Sequence, residues 1–149
     1  MEITTYANLN AEDQKLIDAA EAALERAYNP YSKIYIGTAV LDASGKITAA
    51  ANIATASSTS NLCAERAVIA TANALGFRNS IKLAIIVGGD GAGSMAKNPV
   101  NPCGVCLQFL SEVPVMSGED LEIISSNADK TKIEISSVAE FLPFPYAKK

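Results

Sequence analysis

The sequence predicts an α/β protein in which a mixed β-sheet carries helices on both faces. Three observations lead to this class: an amphipathic helical segment near the start, a β-hairpin after it, and a continuous apolar run over 81–87. A short run that is apolar throughout is typical of a strand covered on both faces. With the remaining segments the predicted order is α-β-β-α-β-α-β-β, which favours helices on both sides of one sheet.

The first predicted helix begins at Asn10, whose side chain can cap a helix, with Asp13 three residues further on. Apolar residues then recur at helical spacing over 16–27, and charged residues mostly occupy the other face. The helix is expected to end before Pro30, because the residue preceding a proline is pushed out of the helical region.

The next segments predict a hairpin. Residues 33–41 are rich in β-branched and aromatic side chains, 42–45 form a turn that ends on a glycine, and 46–54 form the second strand. A small polar run over 55–61 then predicts a loop.

The second half of the chain begins with residues 63–75, which are apolar on almost every side and therefore predict a buried helix. Gly76 fits the end of that helix. The remaining predicted elements are a strand over 81–87, a loop over 90–101, a helix over 104–113, strands over 121–125 and 132–136, and a final turn capped by Ser137.

Length and charge limit the function classes. A chain of 149 residues predicts one domain, residues 1–149, that is large enough to bury a core. The formal charge is −4 and the pI about 4.8. An acidic domain without clustered Lys and Arg is poorly suited to a phosphate backbone, so we expect no nucleic-acid partner.

The sequence shows no targeting signal. No apolar run approaches the roughly 18–20 residues that span a bilayer, so we expect no membrane partner. The first residues carry an acid, Glu2, instead of a basic region followed by an apolar one, as a secretory signal requires. The expected location is therefore cytoplasmic.

All three cysteines fall in two short segments, Cys63-Ala64-Glu65-Arg66 and Pro102-Cys103-Gly104-Val105-Cys106. Each segment opens a predicted helix, where unpaired N–H groups and the helix dipole favour a thiolate. The chain contains no histidine. Three thiolates can hold a zinc ion and leave its fourth position open for water. The sequence therefore predicts a Zn²⁺ site formed by Cys63, Cys103 and Cys106.

Glu65 lies two residues from one of the expected ligands. Its carboxylate could reach the water at the open zinc position and act as a proton carrier. The alternative is an acid in the first turn of a helix, favoured by the dipole. The three neighbouring cysteines favour the role as proton carrier.

Arg66 could offset the charge of the site. Three thiolates and one zinc ion sum to −1, and a negative centre is less able to generate a nucleophile. A guanidinium can donate to a thiolate sulfur and so reduce that charge. The alternative is a solvated helix arginine, which the apolar character of the rest of the helix disfavours.

The pattern Cys-x-Glu followed by Pro-Cys-x-x-Cys resembles the cytidine deaminase family. Flanking matches occur in the same order along the chain: Asn29-Pro30-Tyr31-Ser32-Lys33, Gly37 and Phe141-Leu142-Pro143. The resemblance implies a three-layer α/β/α fold with a mixed five-stranded sheet, zinc-dependent deamination, and a homotetramer whose sites are completed by neighbouring subunits.

The resemblance also assigns substrate contacts. Asn52 matches the family's ribose-binding asparagine, and Ala64 lies inside the first zinc segment. Ala54 replaces a glutamate that binds ribose in the family, and Ile34 replaces an aromatic residue that packs against the nucleoside. Tyr146 is the nearest candidate for the family's C-terminal phenylalanine. Loss of a carboxylate that accepts from a sugar hydroxyl should cost about 1–3 kcal/mol of binding.

The expected substrate is therefore a small nucleoside: cytidine, deoxycytidine or a modified cytosine nucleoside. An alternative is another amino-heterocycle, since blasticidin S deaminases are similar in kind and aminopurines are also conceivable. A non-catalytic zinc module is disfavoured because a structural zinc site needs no adjacent acid. A polynucleotide-editing deaminase is disfavoured by the acidic composition and the absence of a histidine ligand, and a Cys-x-x-Cys redox centre would not explain Cys63 or Glu65.

Overall fold

A computed structural model of the chain describes residues 1–147. The strands are β1 (Glu2–Thr4), β2 (Tyr35–Asp42), β3 (Ile47–Ala51), β4 (Ser80–Gly88), β5 (Glu122–Ser126) and β6 (Ile133–Ser137). The helices are α1 (Ala11–Ala23), α2 (Ala64–Ala74), α3 (Gly104–Leu110), α4 (Glu112–Ser117) and α5 (Val138–Phe141).

The strands form one sheet in the order β1-β6-β5-β4-β2-β3. Strands β4 and β5 are parallel, and every other neighbouring pair is antiparallel, so the prediction of a mixed α/β sheet is confirmed. The expected number of five strands is wrong, because β1 adds a sixth beside β6. This strand has only three residues at the sheet edge, too few for an alternating pattern to identify it.

Helices cover both faces, as the order of elements predicts. On one face α1 packs Leu16, Ile17 and Ala20 against buried sheet residues that include Ala84 and Ile124. The other face carries α2, α3, α4 and α5, and their core residues are Val68, Ile69, Ala72, Leu107, Leu110, Val113 and Val138. The two cysteine segments both belong to this second layer.

Local signals set the start of α1 correctly and missed two breaks. The helical pattern continues to residue 27, but α1 ends at Ala23 and a 3₁₀ turn, Leu24–Arg26, follows. The Asn10 side chain accepts a hydrogen bond from the Asp13 N–H at 2.9 Å, which caps α1 as predicted. The helix expected over 104–113 instead ends at Leu110, and α4 follows. Pro114 has no N–H to donate to the carbonyl of Leu110, and the Ser111 hydroxyl bonds the Gln108 carbonyl at 2.7 Å, so the helix is interrupted here.

The loop expected over 90–101 is mostly irregular and contains one short 3₁₀ helix, Gly93–Lys97. It connects β4 to the start of α3 and so delivers Cys103. None of the helices in residues 1–147 has the length and apolarity that a bilayer crossing requires.

Candidate metal centre and active site

Three sulfur atoms converge between α2 and α3. The Sγ atoms of Cys63, Cys103 and Cys106 all lie within 4.8 Å of one another, although 40 residues separate the first from the second. All three are free thiols. The fold therefore brings the two cysteine segments together as the sequence predicts.

The starts of the two helices place these sulfurs. Cys63 is the N-cap residue directly before α2 and Cys103 the N-cap residue directly before α3, both with extended backbone. Cys106 lies in the first turn of α3 and is buried. The start of α2 is fixed to the sheet by Thr38, a buried β2 residue whose hydroxyl lies 3.0 Å from the Ala64 carbonyl and 3.1 Å from the Ala50 carbonyl.

The donor set fits zinc. Thiolates are preferred zinc ligands, and sulfurs bound at about 2.3 Å in a tetrahedral site lie about 3.8 Å apart. Among residues 1–147 no fourth Cys, Asp or Glu joins the group of three. Three protein ligands with an open fourth position are typical of a catalytic site, whereas structural zinc sites are usually closed by four.

The thiols differ in their protonation. Partial burial would raise the pKa of the Cys103 thiol, but the N–H groups of Cys106 and Val105 at the helix start outweigh it, together with the Cys106 thiol, so this pKa is lowered. Burial raises the pKa of the Cys106 thiol, and the Glu65 carboxylate and the Cys63 sulfur raise it further. Binding of a cation would therefore favour the thiolate of Cys106, which its surroundings disfavour.

Glu65 lies in the first turn of α2 and is buried, with 7% of its surface exposed. Burial raises the pKa of its carboxyl group, while the Cys106 thiol and the Arg66 guanidinium act in the opposite direction without cancelling the effect. A carboxyl group with a raised pKa can exchange a proton more readily near neutral pH than an ordinary glutamate.

Arg66 lies on the same turn and reaches back to the start of its own helix. Its Nη2 donates to the Asn61 carbonyl at 3.0 Å and lies 3.7 Å from the Cys63 sulfur. The contact with Cys63 raises the pKa of Arg66, which keeps the guanidinium charged. The side chain is therefore positioned to donate to a ligand sulfur, and it is only partly exposed.

Asn52 uses its side chain to hold the backbone of the segment that enters β2. Its Oδ1 accepts from the Ile36 N–H at 2.9 Å, and its Nδ2 donates to the Ile34 carbonyl at 3.2 Å. Asn29 donates to the same Ile34 carbonyl at 2.9 Å. The carboxamide of Asn52 thus has a structural function that its sequence position did not indicate.

The other predicted substrate residues have mixed environments. Ala54 is 4% exposed and its N–H donates to the Tyr28 carbonyl at 2.7 Å. Ala64 is buried directly after Cys63, and Ile34 is half-buried beside Asn52. None of these three side chains carries a charged or hydrogen-bonding group.

Tyr146 is attached through its backbone to Gln108, a residue of α3. Its backbone N–H donates to Gln108 Oε1 and its carbonyl accepts from Gln108 Nε2, both at 2.9 Å. The Tyr146 side chain is 74% exposed. Gln108 directly follows the second cysteine segment and Leu107, but a contact 38 residues away along the chain leaves no local signal.

The loop that follows β4 contacts the segment that precedes β2, at the end of these two neighbouring strands. The Gly91 N–H donates to the Lys33 carbonyl at 3.0 Å. A Cβ atom at Gly91 would collide with the Ser32 carbonyl, and one at Gly89 would collide with the Lys33 carbonyl. Gly89 also has φ +90°, a conformation that favours glycine.

The fold and the site together define an α/β protein with a zinc centre of the open, catalytic type. The chain belongs to the family whose model is described as the cytidine and deoxycytidylate deaminase zinc-binding region, which matches residues 10–117. The resemblance noted in the two cysteine segments is thereby confirmed.

Several relatives match along most of their length. The chain is 33% identical to a cytidine deaminase of Sporosarcina psychrophila over 91% of this chain and 92% of that protein. It is 35% identical to a cytidine deaminase of Halalkalibacterium halodurans, over 87% of this chain and 90% of the relative. The crystal structure of cytidine deaminase from Burkholderia pseudomallei superposes with a TM-score of 0.77 at 29% identity, covering 93% of this chain and all of the other.

Proposed function

We propose that this protein is a zinc-dependent hydrolytic deaminase of cytidine, deoxycytidine or a modified cytosine nucleoside, releasing ammonia. The observation that carries the proposal is the group of three thiols within 4.8 Å of one another, next to the buried Glu65. Membership of the deaminase family and the names of the relatives support the same reaction.

The metal would be held by the thiolates of Cys63, Cys103 and Cys106. When bound in such a site, zinc supplies a Lewis acid that makes a water molecule nucleophilic near neutral pH. The substrate ring would have to approach the three sulfur atoms from the side that has no protein ligand, next to Glu65.

Glu65 would act as the proton carrier. Its carboxylate accepts a proton from the attacking water and passes it to the ring nitrogen beside the amino-bearing carbon. Once the carbon–oxygen bond has formed, Glu65 takes the second proton of the same water from the new hydroxyl group and gives it to the amine. The carbon–nitrogen bond then breaks, the hydroxyl becomes a carbonyl, and ammonia leaves. The raised pKa of Glu65 suits both directions of transfer.

Arg66 would lower the negative charge that three thiolates place on the site, through the contact of its Nη2 with the Cys63 sulfur. Arg66→Gln is expected to reduce kcat about 10- to 100-fold while zinc remains bound, the usual effect of removing a hydrogen bond to a ligand. Steady-state ammonia release and zinc content measure the two quantities. Arg78→Gln, an exposed arginine outside the site, serves as the control; wild-type turnover in Arg66→Gln would remove Arg66 from the mechanism.

The substrate can be identified by measuring ammonia release from a panel of compounds. The panel contains cytidine, deoxycytidine, blasticidin S, the free base cytosine, and aminopurine nucleosides. We expect the highest kcat/KM for a cytosine nucleoside. Because Ala54 and Ile34 offer no charged group to the sugar, we expect cytidine and deoxycytidine to differ by less than about tenfold, the value of a single hydrogen bond. Ammonia from none of these compounds with the zinc-loaded protein would reject the proposed reaction.

We also propose that the protein is a homotetramer, as the family resemblance implies. The support is a set of exposed apolar side chains on the helical layer, Val105, Phe109, Val115 and Met116, which lie on α3 and α4. Exposed apolar side chains that cluster on one surface commonly mark an interface. Sedimentation equilibrium is expected to give four times the 15.6 kDa chain mass, and a monomer at micromolar concentration would contradict this.

We further propose that residues 1–149 act as one domain in the cytoplasm with no nucleic-acid partner. The first strand of the chain, β1, pairs with the last strand, β6. Both ends of the chain thus belong to one sheet, which supports a single domain. A reducing compartment keeps the three cysteines available as thiolates. Limited proteolysis that releases a stable internal fragment would contradict the single domain, and salt-dependent binding of single-stranded DNA or RNA would contradict the absence of a nucleic-acid partner.

A further inference from the structure

The segment that delivers Cys103 to the metal centre has no helix or strand of its own. Residues 98–102 lie between the 3₁₀ helix Gly93–Lys97 and the start of α3. Three contacts instead attach this region to the β5–β6 hairpin. They are Ala128 N–H to the Ala96 carbonyl at 3.0 Å, Lys132 Nζ to Asn98 Oδ1 at 3.4 Å, and Asn101 Nδ2 to Glu134 Oε2 at 2.9 Å.

The acceptor of the third contact, Glu134, lies on the face of the sheet that also carries the metal centre. Glu134 is in β6 between Ile133 and Ile135, which both pack against the α1 layer. Side chains alternate along a strand, so Glu134 points to the opposite layer, the one that contains α2 and α3. Its side chain is only 15% exposed. A carboxylate placed so deeply needs hydrogen-bond partners.

Its partners are few. Asn101 donates at 2.9 Å, and Nζ of Lys132, whose side chain is 40% exposed, lies 3.9 Å away. The Asn101 Oδ1 atom is buried and finds no hydrogen-bond partner among residues 1–147. The next residue, Pro102, has no N–H with which to fix the loop. Within the described residues, the orientation of the Asn101 side chain therefore depends on Glu134.

We propose that Glu134 is a positioning residue for the metal centre: through its hydrogen bond to Asn101, two residues before Cys103, it holds the Cys103 sulfur beside the other two. The inference rests on the metal-binding part of the proposed function. Cys103 needs such a support because, unlike Cys106, it is exposed and precedes its helix. A ligand that is held in place binds its metal more tightly than one on an unsupported loop.

The test compares zinc affinity in two variants of the same residue, measured by competition with a chromogenic chelator. Glu134→Gln keeps an oxygen that can accept from Asn101, whereas Glu134→Met has a similar length and cannot accept. We expect the affinity of Glu134→Gln to stay close to wild type and that of Glu134→Met to fall about tenfold. Equal weakening in both variants would assign the effect to the lost charge and overturn the proposal, as would unchanged affinity in Glu134→Met.

Two further variants make the result decisive. Asn101→Ala breaks the same hydrogen bond from the loop side and should also weaken zinc binding about tenfold, which covers the case in which Glu134→Met does not fold. Glu21→Gln is the control, because Glu21 binds Lys130 of the same hairpin at 2.6 Å from the α1 side. Its zinc affinity should stay at the wild-type value; a loss equal to that of Glu134→Met would point to general destabilisation and overturn the proposal.

The zinc affinity of the wild-type protein distinguishes failure of the proposed function from failure of the role proposed for Glu134. A wild-type protein that binds no zinc would reject the proposed function and with it this inference. A wild-type protein that binds zinc, together with an Asn101→Ala variant of equal affinity, would reject the role of Glu134 alone.

Discussion

Glu65→Gln is expected to lower kcat for ammonia release by a factor of about 10²–10⁴, the usual contribution of a general acid–base group. The substitution preserves the shape of the side chain and removes its ability to exchange a proton. Since none of the three sulfur ligands changes, the zinc content should remain at one ion per chain. The measurements are steady-state turnover with the preferred nucleoside, and metal analysis of the same sample.

The control for this experiment separates catalysis from helix stabilisation. Glu112 also lies in the first turn of a helix, α4, and is exposed. If Glu65 served only to stabilise the start of α2, then Glu65→Gln and Glu112→Gln would both cost roughly 0.3–1 kcal/mol of stability and leave turnover unchanged. Wild-type turnover in Glu65→Gln would show that the proposed proton transfer is wrong.

Removal of zinc is expected to abolish turnover and to destabilise the fold. Cys63 is the N-cap residue of α2, and Cys103 and Cys106 belong to the start of α3, so the ion would join two helices of the same layer. Ligand binding to the folded state contributes about 4 kcal/mol when free zinc is 1,000 times its Kd. We therefore expect the thermal midpoint to fall by about 10 °C or more in a chelator with a thiol reductant present, and to recover when zinc is returned.

Cys103→Ser supplies the matched comparison. Its midpoint should lie below that of the zinc-loaded wild type and should respond much less to the chelator, because serine is a poor zinc ligand. Identical melting of the wild-type protein with and without zinc would contradict the structural role of the metal. Turnover that survives complete metal removal would contradict its chemical role.

The metal centre was predictable because its signals are local. The Cys-x-Glu-Arg and Pro-Cys-x-x-Cys segments each start a helix, and the residue types that bind zinc are few, so the sequence indicates which sulfurs belong together. The buried helix α2 and the apolar strand β4 were equally visible, because loops seldom contain apolar runs of that length.

The remaining features depend on contacts between distant parts of the chain. The edge strand β1 exists only because β6 offers it a partner. The Asn101–Glu134 bond joins residues 33 positions apart, and the attachment of Tyr146 to Gln108 joins residues 38 apart. Asn52 was predicted as a substrate residue from its position, whereas its contacts with Ile34 and Ile36 also give it a function in the backbone.

The close approach of Gly89 and Gly91 to the backbone of Ser32 and Lys33 has a practical consequence for mutagenesis of this protein. The two backbones are in direct contact there. Any side chain introduced at position 89 or 91 would collide with the carbonyl of Lys33 or Ser32 and force the two loops apart. Variant libraries should keep both glycines fixed and vary instead the half-buried side chain of Ile34, the nearby substrate residue that the family resemblance implies.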